Sequence, residues 1–236
     1  MNKKEELKKL FASREGIIFD FDGLLVDSEP FHYKAYNAAF QEYGHTIDPE
    51  EYWVEFTSKG GGAPGEIERH GLKGLDPLEI RRKKFIYYSE YCRKGDVKFF
   101  PLAKELLQRA KEAGYKLAIA SGSRNDDLHA ILQMNGFTNT FHAILGKESA
   151  PREKPAPDLF VLAAKELGIN PVRLVVLEDA EKGLLASKSA GIPCVIVRNK
   201  LNLDIPFPDA DFICDGLEDV IEAIAAKIGK DTEKKI

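Results

Sequence analysis

Gly16-Ile17-Ile18-Phe19-Asp20 is a short apolar run that stops at a carboxylate. Three more short apolar runs stand out: Lys116-Leu117-Ala118-Ile119-Ala120-Ser121, Leu174-Val175-Val176-Leu177-Glu178-Asp179 and Pro193-Cys194-Val195-Ile196-Val197. Near-continuous runs of this length, rich in Val and Ile, read as parallel strands covered on both faces. Weaker strands are expected at residues 142–145 and 211–214. Between the strands, apolar residues recur three and four apart, as in Ala103-Leu106-Leu107-Ala110, Leu128-Ile131-Leu132 and Leu159-Leu162-Ala163-Leu167. Each set ends at a glycine (Gly114, Gly136 or Gly168), the mark of an amphipathic helix with a C-cap. Strand alternating with helix predicts an α/β fold, a doubly wound Rossmann-like parallel sheet.

Residues 31–98 break the alternation. They carry Tyr, Phe and charged residues at helical spacing and no convincing strand, which predicts a small inserted α-helical cap. The expected domains are therefore residues 1–30 with 99–236 as the core and 31–98 as the cap. Gly60-Gly61-Gly62-Ala63-Pro64-Gly65 reads as a loop inside the cap, because glycine resists regular structure. Disorder is expected only over residues 230–236.

At 236 residues and 44% hydrophobic content the chain can fill a core without cross-links. Its 34 basic and 38 acidic residues leave a net charge of -4, spread along the chain, which leaves no footprint for nucleic acid. Cys92, Cys194 and Cys214 are far apart and odd in number, so they read as reduced thiols, and no apolar run is long enough to span a bilayer. The first ten residues are mostly charged and carry no apolar signal segment. These features predict a cytoplasmic monomer that acts on a small molecule, with neither nucleic acid nor membrane as partner.

In an open parallel sheet, ligands gather beyond the carboxyl ends of the strands. The polar residues there are Asp20 with Asp22, then Ser121, then Glu178 with Asp179, and Lys154 lies in the loop Arg152-Glu153-Lys154-Pro155-Ala156-Pro157. Asp20 and Asp22 are two apart, so both side chains point to one side of the strand end, and Gly23 lets the chain turn away. Carboxylates gathered this way call for a hard divalent cation such as magnesium. Ser121 can donate to phosphoryl oxygens, and Lys154 can supply a point charge for them. Taken singly, each has a plainer reading: a turn for Asp20 and Asp22, a helix cap for Ser121 or Glu178-Asp179, a solvated loop lysine for Lys154. Their joint placement at successive strand ends favours the functional one.

Four ordered stretches resemble the motifs of the haloacid dehalogenase superfamily, and its phosphatase and β-phosphoglucomutase branch in particular. They are Phe19-Asp20-Phe21-Asp22-Gly23-Leu24-Leu25-Val26-Asp27-Ser28-Glu29-Pro30, Ala120-Ser121-Gly122-Ser123, Glu153-Lys154-Pro155-Ala156-Pro157-Asp158 and Leu177-Glu178-Asp179-Ala180-Glu181-Lys182-Gly183. The resemblance implies a magnesium-dependent hydrolase in which Asp20 attacks phosphorus and Asp22 serves as acid and base. Ser121, Gly122 and Lys154 would hold the phosphoryl group. Asp20, Asp22 (through its backbone carbonyl), Glu178 and Asp179 would form the metal site. An aspartate at position 22 also sets the chain apart from the dehalogenases of the superfamily.

Substrate choice falls to the cap, where Glu29 and Lys59 are candidate binding residues and Glu66 and Arg69 further ones; a solvated helix face is the plainer reading of each. Where β-phosphoglucomutases carry Lys-Gly-x-Ser-Arg, this chain reads Lys59-Gly60-Gly61-Gly62-Ala63. The arginine that would grip a second phosphate is missing, which favours hydrolysis of a sugar-type phosphate monoester over a mutase. His32 and a lysine at 83 or 84 resemble residues of the mutases, though His32 also suits a hinge or packing role. A phosphorylatable receiver module would need neither the helical insertion nor Asp22.

Overall fold

The computed structural model describes residues 2–58 and 61–233. Its contacts divide the chain into two compact units, Met1–Asp27 with Lys98–Ile236, and Ser28–Val97. In chain order the elements are α1 (Lys3–Ala12), β1 (Gly16–Phe19), α2 (Glu29–Gln41), α3 (Pro49–Glu51), a π-helical turn (Tyr52–Ser58), α4 (Gly62–Arg69) and α5 (Pro77–Lys94). There follow α6 (Pro101–Glu112), β2 (Lys116–Ala120), α7 (Asn125–Asn135), β3 (Ala143–Leu145), α8 (Asp158–Leu167), β4 (Leu174–Glu178), α9 (Glu181–Ser189), β5 (Cys194–Val197), β6 (Phe212–Cys214) and α10 (Leu217–Glu233).

The first unit is built on a six-stranded sheet in the order β3-β2-β1-β4-β5-β6. Every pairing is parallel. The runs expected as strands form it, because residues buried on both faces can satisfy their backbone only within a ladder. On one face Ile18, Ala118, Val176 and Ile196 pack with Leu159, Phe160 and Ala163 of α8 and Leu184 of α9. Side chains of the other parity, such as Ile17, Leu117, Ile119 and Val175, are equally buried. α6 packs on β2, and α10 contacts β6, α6 and α1.

The second unit is helical and aromatic. α2 lies along α5, and α4 meets both α5 and the π-helical turn. Phe40, Ile47, Tyr52, Phe56 and Ile80 form its buried centre, with Tyr52 stacked on Phe56 at 5.0 Å between ring centroids.

Two expectations are corrected. Gly62, Ala63, Pro64 and Gly65 belong to α4 rather than to a loop. Proline is tolerated there because a helix's first turn has no intrahelical partner for its N–H groups. Gly65 N–H also donates to Gly61 O at 2.9 Å, closing the turn. Lys59 and Gly60 lie outside the described residues. At the other end α10 continues to Glu233, so residues 230–233 of the stretch expected to be disordered are helical and 234–236 lie outside the described residues. Among the described residues no helix is long and apolar enough to cross a membrane. All three cysteines are buried and free.

Candidate active site

The register of the sheet sets the centre of the site. Phe19 at the end of β1 pairs with Leu177 of β4, and Asp20 N–H donates to Leu177 O at 2.9 Å. That pairing brings Asp20 beside Glu178, the last residue of β4. Lys154 reaches them from the loop before α8, its Nζ 2.6 Å from Asp20 Oδ1 and 2.6 Å from Glu178 Oε1. The lysine side chain is 2% exposed and Glu178 1%. Burial and the Glu178 charge push the Asp20 carboxyl up to about 7, with Asp22 adding a smaller push against the pull of Lys154. Burial works to lower the Lys154 pKa, but its two carboxylate partners outweigh this and hold it above its ordinary value. One lysine does not balance the negative charge gathered here.

Asp179 stands next to this pair and is held by two asparagines from the segment after β5. Asn199 Nδ2 donates to Asp179 Oδ2 at 2.7 Å and to Gly23 O at 3.2 Å, while Asn202 Nδ2 donates to Asp179 O at 2.8 Å. Gly23 has φ +75, and a Cβ there would stand 2.6 Å from Asp179 Oδ2, so glycine is required twice over. One oxygen from each of Asp20, Glu178 and Asp179 lies within 4.8 Å of the others, a hard donor set that fits a divalent cation. Glu178 is fixed further by backbone: its Oε2 accepts from the N–H groups of Asp179 and Ala180 at 3.0 and 3.1 Å. Gly183 of α9 lies so near that a Cβ on it would land on the Glu178 carboxylate.

Asp22 is oriented differently. Its Oδ2 accepts from Ser121 Oγ at 3.2 Å and from Ser123 Oγ at 2.6 Å, and its carboxylate is not one of the three that gather. Ser121 is fully buried and its Oγ accepts from Ser123 N–H at 2.9 Å. Gly122 between them is exposed.

The candidates in the second unit are dispersed. Glu29 begins α2 and is half-buried. Lys59 lies outside the described residues. Glu66 is turned inward and fully buried, paired with Arg69 and with His45. His32 stacks on Tyr88 at 4.1 Å between ring centroids, Lys84 sits over the rings of Tyr36, Phe85 and Tyr88, and Lys83 pairs with Glu42 at 2.6 Å.

The profile of the haloacid dehalogenase-like hydrolase family matches residues 17–197, more than half of the chain. The chain belongs to this family. Among haloacid dehalogenase-like relatives, YhcW of Bacillus subtilis (strain 168) is 33% identical over 204 residues, covering 84% of this chain and 89% of that protein. The fructose-1-phosphate phosphatase YqaB of Escherichia coli (strain K12) is 31% identical over 192 residues, covering 80% of this chain and 99% of that one. The crystal structure of CbbY from Rhodobacter sphaeroides in complex with phosphate superposes with TM-score 0.72 at 29% identity, over 86% of this chain and 95% of that chain. A mutant of the same protein has been solved with xylulose-(1,5)bisphosphate.

Reading the sequence of this haloacid dehalogenase-like chain missed Ser123, Asn199, Asn202 and Gly183. Ser123 and Gly183 sit inside the quoted motifs, so their signal was proximity to Ser121 and Glu178. The asparagines follow the strand Cys194–Val197, and the rule of looking beyond each strand's carboxyl end reaches them.

Proposed function

We propose that the chain hydrolyses a small sugar-type phosphate monoester through an aspartyl-phosphate on Asp20, with magnesium as cofactor. Family membership and relatives such as YqaB and CbbY make it a phosphoric monoester hydrolase of the haloacid dehalogenase superfamily. The observation that carries the finer reading is the meeting of Asp20, Glu178 and Lys154 from three separate stretches at 2.6 Å contacts. A buried lysine between two carboxylates is costly as a structural device and useful as a phosphoryl cradle.

In this reading a carboxylate oxygen of Asp20 attacks phosphorus, the bond to the ester oxygen breaks in line, and Asp22 gives its proton to the departing alcohol. Asp22 then takes a proton from water, whose oxygen attacks the phosphorus, releasing phosphate and returning Asp20 as a carboxylate. The Ser121 and Ser123 hydroxyls hold Asp22 Oδ2 in place for both transfers. Ser121, Gly122 and Lys154 hold the phosphoryl oxygens. Asp20, Glu178, Asp179 and the backbone carbonyl of Asp22 would hold magnesium, which would supply the positive charge that lets an anionic nucleophile meet an anionic substrate. Glu29 and Lys59 are the proposed substrate contacts outside the first unit. The sugar-phosphate class is supported by the substrate in YqaB's name and by the bisphosphate bound to CbbY. A cytoplasmic monomer is the proposed setting, in keeping with three buried free thiols.

Purified protein incubated with magnesium and a panel of phosphate esters that includes fructose 1-phosphate tests the proposal. Release of inorganic phosphate, stopped by chelator and by Asp20→Asn, is the expected result. Conversion of β-glucose 1-phosphate to glucose 6-phosphate without phosphate release would overturn it in favour of a mutase.

A further inference from the structure

The second unit holds a cluster of ligating side chains that the phosphoryl chemistry does not use. His45 lies just beyond α2, Glu51 ends α3, and Glu66 and His70 are one helical turn apart at the end of α4. His45 Nε2 is 2.7 Å from Glu66 Oε1, and His70 Nε2 is 3.6 Å from the same oxygen and 2.8 Å from Glu51 Oε2. The two imidazole rings stand 4.9 Å apart between centroids. One ligand atom from each of His45, Glu66 and His70 falls within 4.8 Å of the others.

Glu66 is fully buried, and its two oxygens are divided between partners: Arg69 takes Oε2, while Oε1 faces the two imidazole nitrogens. A tetrahedral ion bound at about 2.0–2.1 Å holds its donors roughly 3.4 Å apart. The His45–Glu66 and His70–Glu66 spacings of 2.7 and 3.6 Å bracket that value. Two imidazoles and a carboxylate are the donor mixture borderline cations prefer over magnesium, and Glu51 Oε2, 2.8 Å from His70 Nε2, is the nearest further oxygen donor. Arg69 on the far oxygen of Glu66 fixes the carboxylate's orientation, as partners behind metal ligands commonly do.

We propose that His45, Glu66 and His70, completed by Glu51, form a binding site for a divalent transition metal of the zinc class. The site ties three otherwise separate pieces of the helical unit together: the segment after α2, the end of α3 and the C-terminal turn of α4. Its effect is structural, since binding only the folded form raises that form's stability by mass action.

The test uses the full chain, stripped with chelator and then held in millimolar magnesium to occupy the acidic cluster of the first unit. Zinc titration by calorimetry is expected to show one saturable site, accompanied by a rise in the thermal midpoint. His70→Gln is expected to weaken that binding by about 100-fold or more, and Asp179→Asn to leave it unchanged. Cobalt added to the wild-type chain is expected to give the intense visible absorption of a four-coordinate nitrogen and oxygen site, a readout that needs no variant to fold. Absence of saturable binding, equal binding by His70→Gln, or loss in Asp179→Asn alone would overturn the proposal and leave the cluster as an ion-pair network around a buried carboxylate.

Discussion

The two units of this chain place their charged residues by opposite rules. In the first, Asp20 and Glu178 stand where strands of a parallel sheet end, so the register that pairs Phe19 with Leu177 also sets one carboxylate beside the other. In the second, Glu51 and Glu66 lie on short helices, His70 caps the end of α4, and His45 is carried to them by a turn. A sheet positions functional groups through its backbone, and the side chains inherit the order. A small helical unit positions them through side-chain packing, which many sequences can satisfy in many ways.

The strongest break of this contrast is Asp20→Asn. It should lower the rate of phosphate release by about four orders of magnitude or more, because a nucleophile acts as one unit with its partners. The thermal midpoint should not fall, since the substitution removes a buried charge held near two other carboxylates. A residual rate within tenfold of wild type would move the nucleophile elsewhere.

Next in size is Lys154→Met. It leaves Asp20 and Glu178 buried without their cation and should cost about 3–5 kcal/mol in chelator, measured by urea unfolding. Magnesium should restore part of that loss. As the matching change in the second unit, Lys83→Met removes the solvent-facing partner of Glu42 and should leave the urea midpoint unchanged. Equal losses in the two variants would erase the distinction between the units.

A smaller effect follows from Gly183→Ala. The added methyl group meets the Glu178 carboxylate and should cost about 1–3 kcal/mol through displacement of that side chain. Magnesium-dependent activity should fall with it, measured as the magnesium concentration needed for half-maximal rate. Undiminished magnesium affinity would show that Glu178 has room to move.

The mildest expectation concerns the thiols. Burial pushes Cys214 up to about 12 and Cys194 higher still. A group whose pKa is higher in the folded than in the unfolded state keeps its stabilising contribution below the unfolded value and loses it as pH rises toward the folded one. Stability should therefore decline from about pH 9 toward pH 12, with Tyr115, raised by its own burial, adding to the loss. At pH 8 a thiol-specific dye should label the native chain slowly and the urea-unfolded chain at once; rapid labelling of the native chain would contradict the burial.

The sheet was legible because apolar runs of four to six residues ending in polar ones leave few alternatives, and all six expected strands appear within one or two residues of their expected limits. The acidic centre was legible for the same reason. The strand-end rule reaches the position of Asn199 but not its hold on Asp179, which depends on a turn that the asparagines build for themselves: Asn199 N–H donates to Asn202 Oδ1 and Leu201 N–H to Asn199 Oδ1. Glu66 was hidden by its neighbours. A charge beside Arg69 and His70 on one helix reads as a solvated face, and only the arrival of His45 from a distant turn explains its burial.

The strand order also bears on how the chain is made. β1 lies in the middle of the sheet, yet its partners β2 and β4 emerge from the ribosome roughly 100 and 160 residues after it. At ordinary elongation rates the wait for β2, the first of these partners, is roughly 5–20 s, during which an apolar strand has no ladder to join. The contiguous helical unit, synthesised in between, is free to assemble first. Slowing translation after residue 98 should therefore lengthen the exposure of Ile17, Ile18 and Phe19 to chaperones, while leaving the helical unit's maturation untouched.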